Sequence, residues 1–393
     1  MAAKNVEALF AAQFFVSVLF SIAFSHATVF EAPVAVIDLD ATRTSAFLIE
    51  KLNASPYISV RQVLHSPARA IELTRRDVVQ GGIYLPPGLQ AAMLRGDHSV
   101  RIGYLADDSN TAQNGELYST LNEIAASIGA EVSVSRAGGV SSLGKNTAQT
   151  QATLSPLRVS FRYLTNPTGQ AATATVINFL FFFSLMYQGM TCLMLIGRLR
   201  VTRVWESQVL SGPVLALIVR IVPYSLVFTA AVGTAMAILI VFGQLRFAGN
   251  IFVFFPLLFL CALVNGMLAM LLSWRCANPG EGASFMIWLV PPGFILGGAT
   301  MALGFAHDWV RALSQGVPLV RLFGFWRGIG LRGLDFNAIS GSVGWFLLYF
   351  VFLAILLTIR FRMDELKRRS EVRANWRALG ETGRGSQLSI DRG

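Results

Sequence analysis

Apolar runs long enough to cross a bilayer decide what this chain is able to fold into. A span needs roughly 18–20 consecutive apolar residues. The sequence offers such runs at 8–29, 173–196, 214–242, 251–274, 283–303 and 339–359, whereas 30–172 contains none. The expected fold class is therefore an α-helical polytopic membrane protein with six spans, arranged as one plus five, carrying an inserted domain after the first. Composition agrees: only 14% of residues are charged and 54% are hydrophobic, where a soluble domain averages roughly 25% charged. This excludes a soluble globular protein and a disordered chain. Three cysteines in 393 residues exclude a disulfide scaffold.

The net charge of +10 is placed unevenly. Residues 30–172 hold twelve basic and twelve acidic side chains, so the excess belongs to the membrane half and its flanks. Arg198, Arg200 and Arg203 follow the second run, Arg275 follows the fourth, and nine basic residues against five acids follow from Arg360. With six spans these three segments share one side. The positive-inside rule then makes both termini cytoplasmic and the insert extracytoplasmic. Topology and anionic membrane lipid account for the basic tail without nucleic acid. The first run has a second reading, because Lys4 and Ser25-His26-Ala27 also fit a signal peptide. Its length and the even span count favour a retained signal-anchor at 1–29; cleavage leaves the insert on the same side. The division expected is a first span at 1–29, an α/β domain at 30–172, a five-span domain at 173–360, and a basic cytoplasmic tail at 361–393.

Within the insert, strand-like runs at 33–40, 57–64, 78–86 and 99–107 alternate with helix-like runs at 42–55, 67–77, 87–96 and 111–135. That alternation predicts a small layered α/β domain. Residues 137–153 read as a loop and 157–164 as a returning strand. Asp38 and Asp40 close the first strand, and Asp107 and Asp108 the fourth. Parallel neighbouring strands would bring these four acids to one edge, a candidate ligand or ion site; strand-end solubility and helix capping by Asp40 or Thr42 are the favoured explanation.

Other motifs fail on context. Residues 139–146 (GVSSLGKN) lack the hydroxyl that a phosphate loop uses for Mg²⁺, and follow a helix rather than a strand. Residues 328–333 (GIGLRG) have no preceding strand and read as a flexible loop. The four histidines show no ligand spacing, and Cys192, Cys261 and Cys276 read as small buried hydrophobes. Neither catalytic residues nor a metal or cofactor site is expected. Arg220 is placed to snorkel or to meet a partner subunit. Pro223, Pro256, Pro291 and Pro292 interrupt apolar runs, and 297–337 reads as short interfacial or re-entrant helices on the outer side.

Residues 198–213 (RLRVTRVWESQVLSGP) carry the strongest functional signal. A tryptophan among arginines between two spans fits an interfacial helix that shows a polar face to a soluble partner.

In order along the chain, PVAVIDLDATRTS, FLIEKLNASPYISV, GGIYLPPGLQAAMLRG, YLADDSN, Asn166-Pro167 and VPLVRLFGFWRG resemble permease subunits of type-2 ATP-binding-cassette exporters. The similar branch is the bacterial one with a large extracytoplasmic domain after the first span, and the likeness covers nearly the whole chain. It implies a non-enzymatic inner-membrane subunit that works as a homo- or heterodimer with cytoplasmic ATPase subunits. ATP and Mg²⁺ would be bound by those partners, and a periplasmic adaptor is a further expected partner. It also implies a coupling helix at 198–213. The family pattern there matches at Trp205, Glu206 and Pro213, but Arg203-Val204 replaces its Gly-Thr, and Arg198 and Arg200 replace its upstream acids. The expected coupling residues are Arg198, Arg200, Arg203, Trp205, Glu206 and Pro213. The rival readings are a membrane receptor with a ligand-binding α/β domain and a polytopic membrane enzyme. The receptor is disfavoured by a tail without an output domain, the enzyme by the lack of an acid, histidine or cysteine cluster in a span.

Overall fold

The computed structural model describes residues 31–76, 78–95, 101–107, 111–138, 158–164, 176–243, 245–299 and 308–390. The first expected span, residues 139–146, His26, His98, His307 and Asp108 lie outside the described residues.

Residues 31–164 build a five-stranded sheet. Its strands are β1 (Ala32–Asp38), β2 (Ile58–Leu64), β3 (Gly81–Leu85), β4 (Arg101–Ala106) and β5 (Arg158–Tyr163), in the order β2-β1-β3-β4-β5. The helices are α1 (Arg43–Ala54), α2 (Pro67–Arg75), α3 (Leu89–Arg95) and α4 (Thr111–Gly138). β1 is central and alternates its side chains between two cores, as the period of two requires. Val34 and Val36 join Leu48, Leu52, Met93 and Leu121 on the face covered by α1, α3 and α4. Ala35 and Ile37 join Ala70 and Leu73 under α2. Every strand expected from the sequence is present.

Strand direction corrects one expectation. β1 is parallel to β2 and β3, but β4 runs antiparallel to β3, and β5 is parallel to β4. Asp38 lies level with Leu85 at one end of β3, while Ala106 lies level with Gly81 at the other. Asp38 and Asp40 therefore do not share an edge with Asp107. The shared edge required parallel strands, and a reversed β4 separates the ends of β1 and β4 by the length of the sheet.

Among the described residues, four helices are long and apolar enough to cross a membrane: Ile177–Val201, Leu215–Val241, Ile251–Leu272 and Phe336–Glu371. The first is α5, followed by a short α6 (Val204–Ser211). The second is α7 (Leu215–Val219) continued by α8 (Val222–Val241), with Pro223 in the first turn of α8, where a missing N–H is harmless. The third is α9 (Ile251–Leu272), which keeps Pro256 inside it. α5 and α9 are about half buried, at 44% and 50%, whereas 22% of the Leu215–Val241 segment is buried. The first two are therefore the centre of the bundle.

The expected span at 283–303 is not one helix in its described part. Residues 279–296 form α10 (Pro279–Ala283), α11 (Met286–Leu289) and α12 (Pro291–Leu296). Pro291 and Pro292 supply no N–H groups to a continuing ladder, so the helix restarts there.

In the following stretch α13 (Asp308–Ser314) leads to α14 (Pro318–Phe325), which buries Leu319, Leu322 and Phe323 in the bundle, so of the two expected arrangements the re-entrant one fits α14 and the interfacial one does not. GIGLRG is not a flexible loop: Trp326–Leu331 is a π-helical turn with Gly328, Ile329 and Gly330 buried. Trp326 packs its ring on Phe181, Phe247 and Phe254 at 5.8–6.0 Å. The last helix, α15 (Phe336–Ile390), runs 55 residues without a break. At 1.5 Å per residue it is about 80 Å long, far beyond the ~30 Å apolar core of a bilayer. The basic tail is thus continuous with the last span.

Candidate functional site

The segment 198–213 is folded around two aromatic rings. α5 ends at Val201, and Arg203 takes a left-handed conformation (φ 59°) that turns the chain into α6. Trp205 is then buried edge-on against Trp274, with ring centroids 5.3 Å apart. The Arg200 guanidinium lies 5.3 Å from the Trp205 ring, a cation–π distance. Its Nη atoms donate to the carbonyls of Trp274 (2.6 Å), Arg275 (3.0 Å) and Cys276 (3.1 Å). A helix leaves its last carbonyls without intrahelical partners, and Arg200 satisfies those just beyond α9 with a positive charge. The Trp274 indole in turn donates to Asp364 Oδ2 of α15 at 3.0 Å. Side chains of α5, α6 and α15 and of the turn just after α9 are thereby locked into a single cluster.

An open groove of about 920 Å³ lies over this cluster, and Arg200, Arg203, Trp205 and Glu206 line it. Of the residues expected in the coupling segment, Arg198 and Pro213 are exposed but do not line the groove. Glu206 is 64% exposed and stands 3.7 Å from Arg368 Nη1. The far end of α6 is tied back by Gln208, which accepts from Arg220 (3.3 Å) and donates to the Pro213 carbonyl (3.3 Å). Arg220 thus reaches the cross-helix. Arg275 was noted from sequence for topology alone, and Trp274 and Asp364 were not expected at this site. The only available signals were their positions just beyond two apolar runs.

At the other end of the bundle, Asp107 pairs with Arg332. Nη2 and Nε of the arginine lie 2.6 Å and 2.8 Å from Asp107 Oδ2, with side-chain exposures of 8% and 6%. The contact joins the end of β4 to the residue after the π-helical turn. Gly333 makes it possible by taking φ +64° against the Ala248 carbonyl, and the Ala248 N–H donates to the Gly330 carbonyl at 2.7 Å. Burial, with the negative charge of Asp107 as a lesser cause, pushes the Tyr104 phenol well above its ordinary value.

Asp38 and Asp40 are occupied by local structure. Asp38 accepts from the N–H groups of Asp40 (3.0 Å) and Ala41 (2.9 Å) and from Ser45 Oγ (2.8 Å). Asp40 accepts from Thr42 Oγ1 (2.6 Å) and the Gln90 N–H (3.0 Å). Thr42 caps α1 through Ser45. Among the described residues no three His, Cys, Asp or Glu side chains converge as metal ligands would. The three cysteines are buried free thiols.

A polar contact in mid-bundle was also missed by the sequence reading, which weighed charges and not amides. Asn265 of α9 donates to Gln188 Oε1 of α5 (2.8 Å) and to the Leu185 carbonyl (3.3 Å), and Gln188 Nε2 donates to the Ala262 carbonyl (3.0 Å). Both amides are buried.

Long apolar helices joined by buried amides, with a charged cross-helix at one end, define a polytopic membrane protein whose spans are mechanically connected. The family model described as ABC-2 family transporter protein matches residues 9–359, and the chain belongs to that family. It is a multi-pass membrane permease of an ABC transporter. Such permeases in general pair with one another and partner an ATPase subunit. No curated relative and no solved structure matches the chain.

Proposed function

We propose that this permease is the membrane-spanning subunit of an ATP-driven exporter, acting as a homo- or heterodimer in a bacterial inner membrane. The observation that carries the reading is the construction of α6. Its inner face is locked by Trp205 and Arg200 to the ends of α5, α9 and α15, while Arg203 and Glu206 remain exposed. A soluble ATPase that pulls on the outer face of α6 would move three spans together. α6 is the coupling helix of this reading, and its side is cytoplasmic, as the arginine-rich loops favour.

The insert then faces the extracytoplasmic side, with six spans and both termini inside. It offers a surface for a periplasmic adaptor. The exposed apolar faces of α8 (Val227, Val241) and α15 (Trp345, Phe352) meet lipid or the second permease subunit.

The test is Glu206→Arg in cells that carry the partner subunits. The expected result is loss of transport and of transport-linked ATPase activity with unchanged membrane insertion; normal transport in this variant refutes the assignment. Co-purification checks the partner directly. Stoichiometric recovery of a P-loop ATPase supports the exporter, and its absence under mild detergent favours a receptor whose insert binds a ligand.

A further inference from the structure

The groove over α6 has a charge balance that its role in holding helices together does not use. Six cations line it: Arg200, Arg203, Arg275, Arg360, Lys367 and Arg368. Three acids face them: Glu206, Asp364 and Glu371. The acids are engaged. Asp364 accepts from Trp274, and Glu206 and Glu371 lie 3.7 Å and 3.4 Å from Arg368. Arg200 is occupied by three backbone carbonyls. Arg203, Arg275, Arg360 and Lys367 have no carboxylate within ion-pair distance among the described residues, so cations outnumber acids two to one around one concavity. A concave surface with an excess of one sign of charge concentrates counter-ions of the other.

Depth and chemistry narrow the ligand. The groove sits where α5, α9 and the apolar part of α15 all end, which for membrane-crossing helices is the level of lipid headgroups. Its rim carries Val201 and Met363, 63% and 56% exposed. An exposed apolar rim beside a cationic floor suits a ligand with a phosphate at one end and hydrocarbon at the other. Basic pockets between helices on the cytoplasmic side take such headgroups in general.

We propose that this groove binds the phosphate group of an anionic phospholipid between α6 and α15. The inference rests on the reading that these helices cross a membrane, and not on the identity of any partner at α6. A bound headgroup would bridge Arg203 before α6 and Arg360 or Lys367 of α15, so lipid composition would tune how firmly the cross-helix is held to the last span.

Native mass spectrometry of the purified full-length chain tests this, titrated with phosphatidylglycerol and, separately, with phosphatidylcholine. The expected result is a saturable adduct with phosphatidylglycerol at least tenfold tighter than with phosphatidylcholine. Each juxtamembrane cation near anionic lipid contributes roughly a factor of five, so Arg360→Gln with Lys367→Gln should weaken it about 25-fold. Arg362→Gln with Arg369→Gln is the matched control. Both arginines lie on α15, pair with Glu365 and do not line the groove, so this variant keeps wild-type affinity and shows that the fold tolerates the loss of two charges. Displacement of the lipid by millimolar inorganic phosphate identifies free phosphate as a competing source of the same group; resistance to it identifies the lipid. Equal affinity for both lipids, or equal weakening in the control, overturns the proposal. So does loss of a co-purifying ATPase from the groove variant with lipid affinity unchanged. A chain that recovers no ATPase but keeps this lipid selectivity refutes the exporter reading alone.

Discussion

The two ends of the helical bundle hold charge in opposite ways. At one end the ion pair Asp107–Arg332 is almost fully enclosed and joins the α/β sheet to the π-helical turn. At the other, cations crowd an open groove, and the contact between Glu206 and Arg368 is long and solvated. α15 connects them: it begins four residues after Arg332 and lines the groove from Arg360 to Glu371. The difference teaches where rigidity is placed. An enclosed pair has one good arrangement, because separating its charges in a low dielectric is expensive. An open set of charges exchanges partners at little cost, which suits a surface that must bind and release.

The comparison breaks most directly at the enclosed end. Arg332→Met removes the guanidinium from a carboxylate that water barely reaches, and about 3–5 kcal/mol of stability should go with it. Thermal unfolding in detergent, with limited proteolysis of the insert, reads this. The double replacement Asp107→Leu with Arg332→Met should recover most of the loss, because neither charge of this pair is then left buried without the other. A single variant as stable as wild type would mean that the pair does not hold the insert.

Arg200→Met tests the floor of the groove. It removes charge-assisted bonds to three carbonyls and the contact with Trp205, at a cost of about 2–3 kcal/mol. Trp205 fluorescence should shift as its neighbour leaves. Mid-bundle, Asn265→Leu should cost about 1 kcal/mol, since amide bonds between membrane helices average less than that and rarely exceed two. The smallest effect belongs to the open end. A double-mutant cycle on Glu206→Ala and Arg368→Ala should give a coupling below about 1 kcal/mol that vanishes in high salt. A large, salt-resistant coupling there would erase the contrast between the ends.

How legible this was in the sequence varies by element. The strands and helices of the α/β region were readable because each obeys a local period and proline marks a helix start, as at Pro67. Sheet order and the reversal of β4 were not readable, since the pattern of a strand is the same in either direction; the expected edge joining Asp38 and Asp40 to Asp107 failed for that reason. α5 and α9 were legible as apolar runs of the right length. The run at 283–303 looked the same, but Pro291 and Pro292 and the packing of Leu319 and Phe323 divide its described part into short helices. At the candidate site, Trp205 and Glu206 were found by their setting among arginines. Arg200 was expected among the coupling residues, and its inward turn was not readable, because the carbonyls it caps come from residues more than seventy positions away.

By itself, the sequence determined that this chain enters a membrane and carries a separate α/β unit. It also determined which short segment between two spans bears unusual charge. Those conclusions need only composition and spacing, because water and hydrocarbon sort residues one at a time. Tertiary structure alone decided which charges are enclosed and which are open. It placed Asp107 on Arg332 across 225 positions and gathered Arg203, Arg275, Arg360 and Lys367 around one groove. Electrostatic worth depends on distance and on exclusion of water, and neither exists until separate helices and strands have packed.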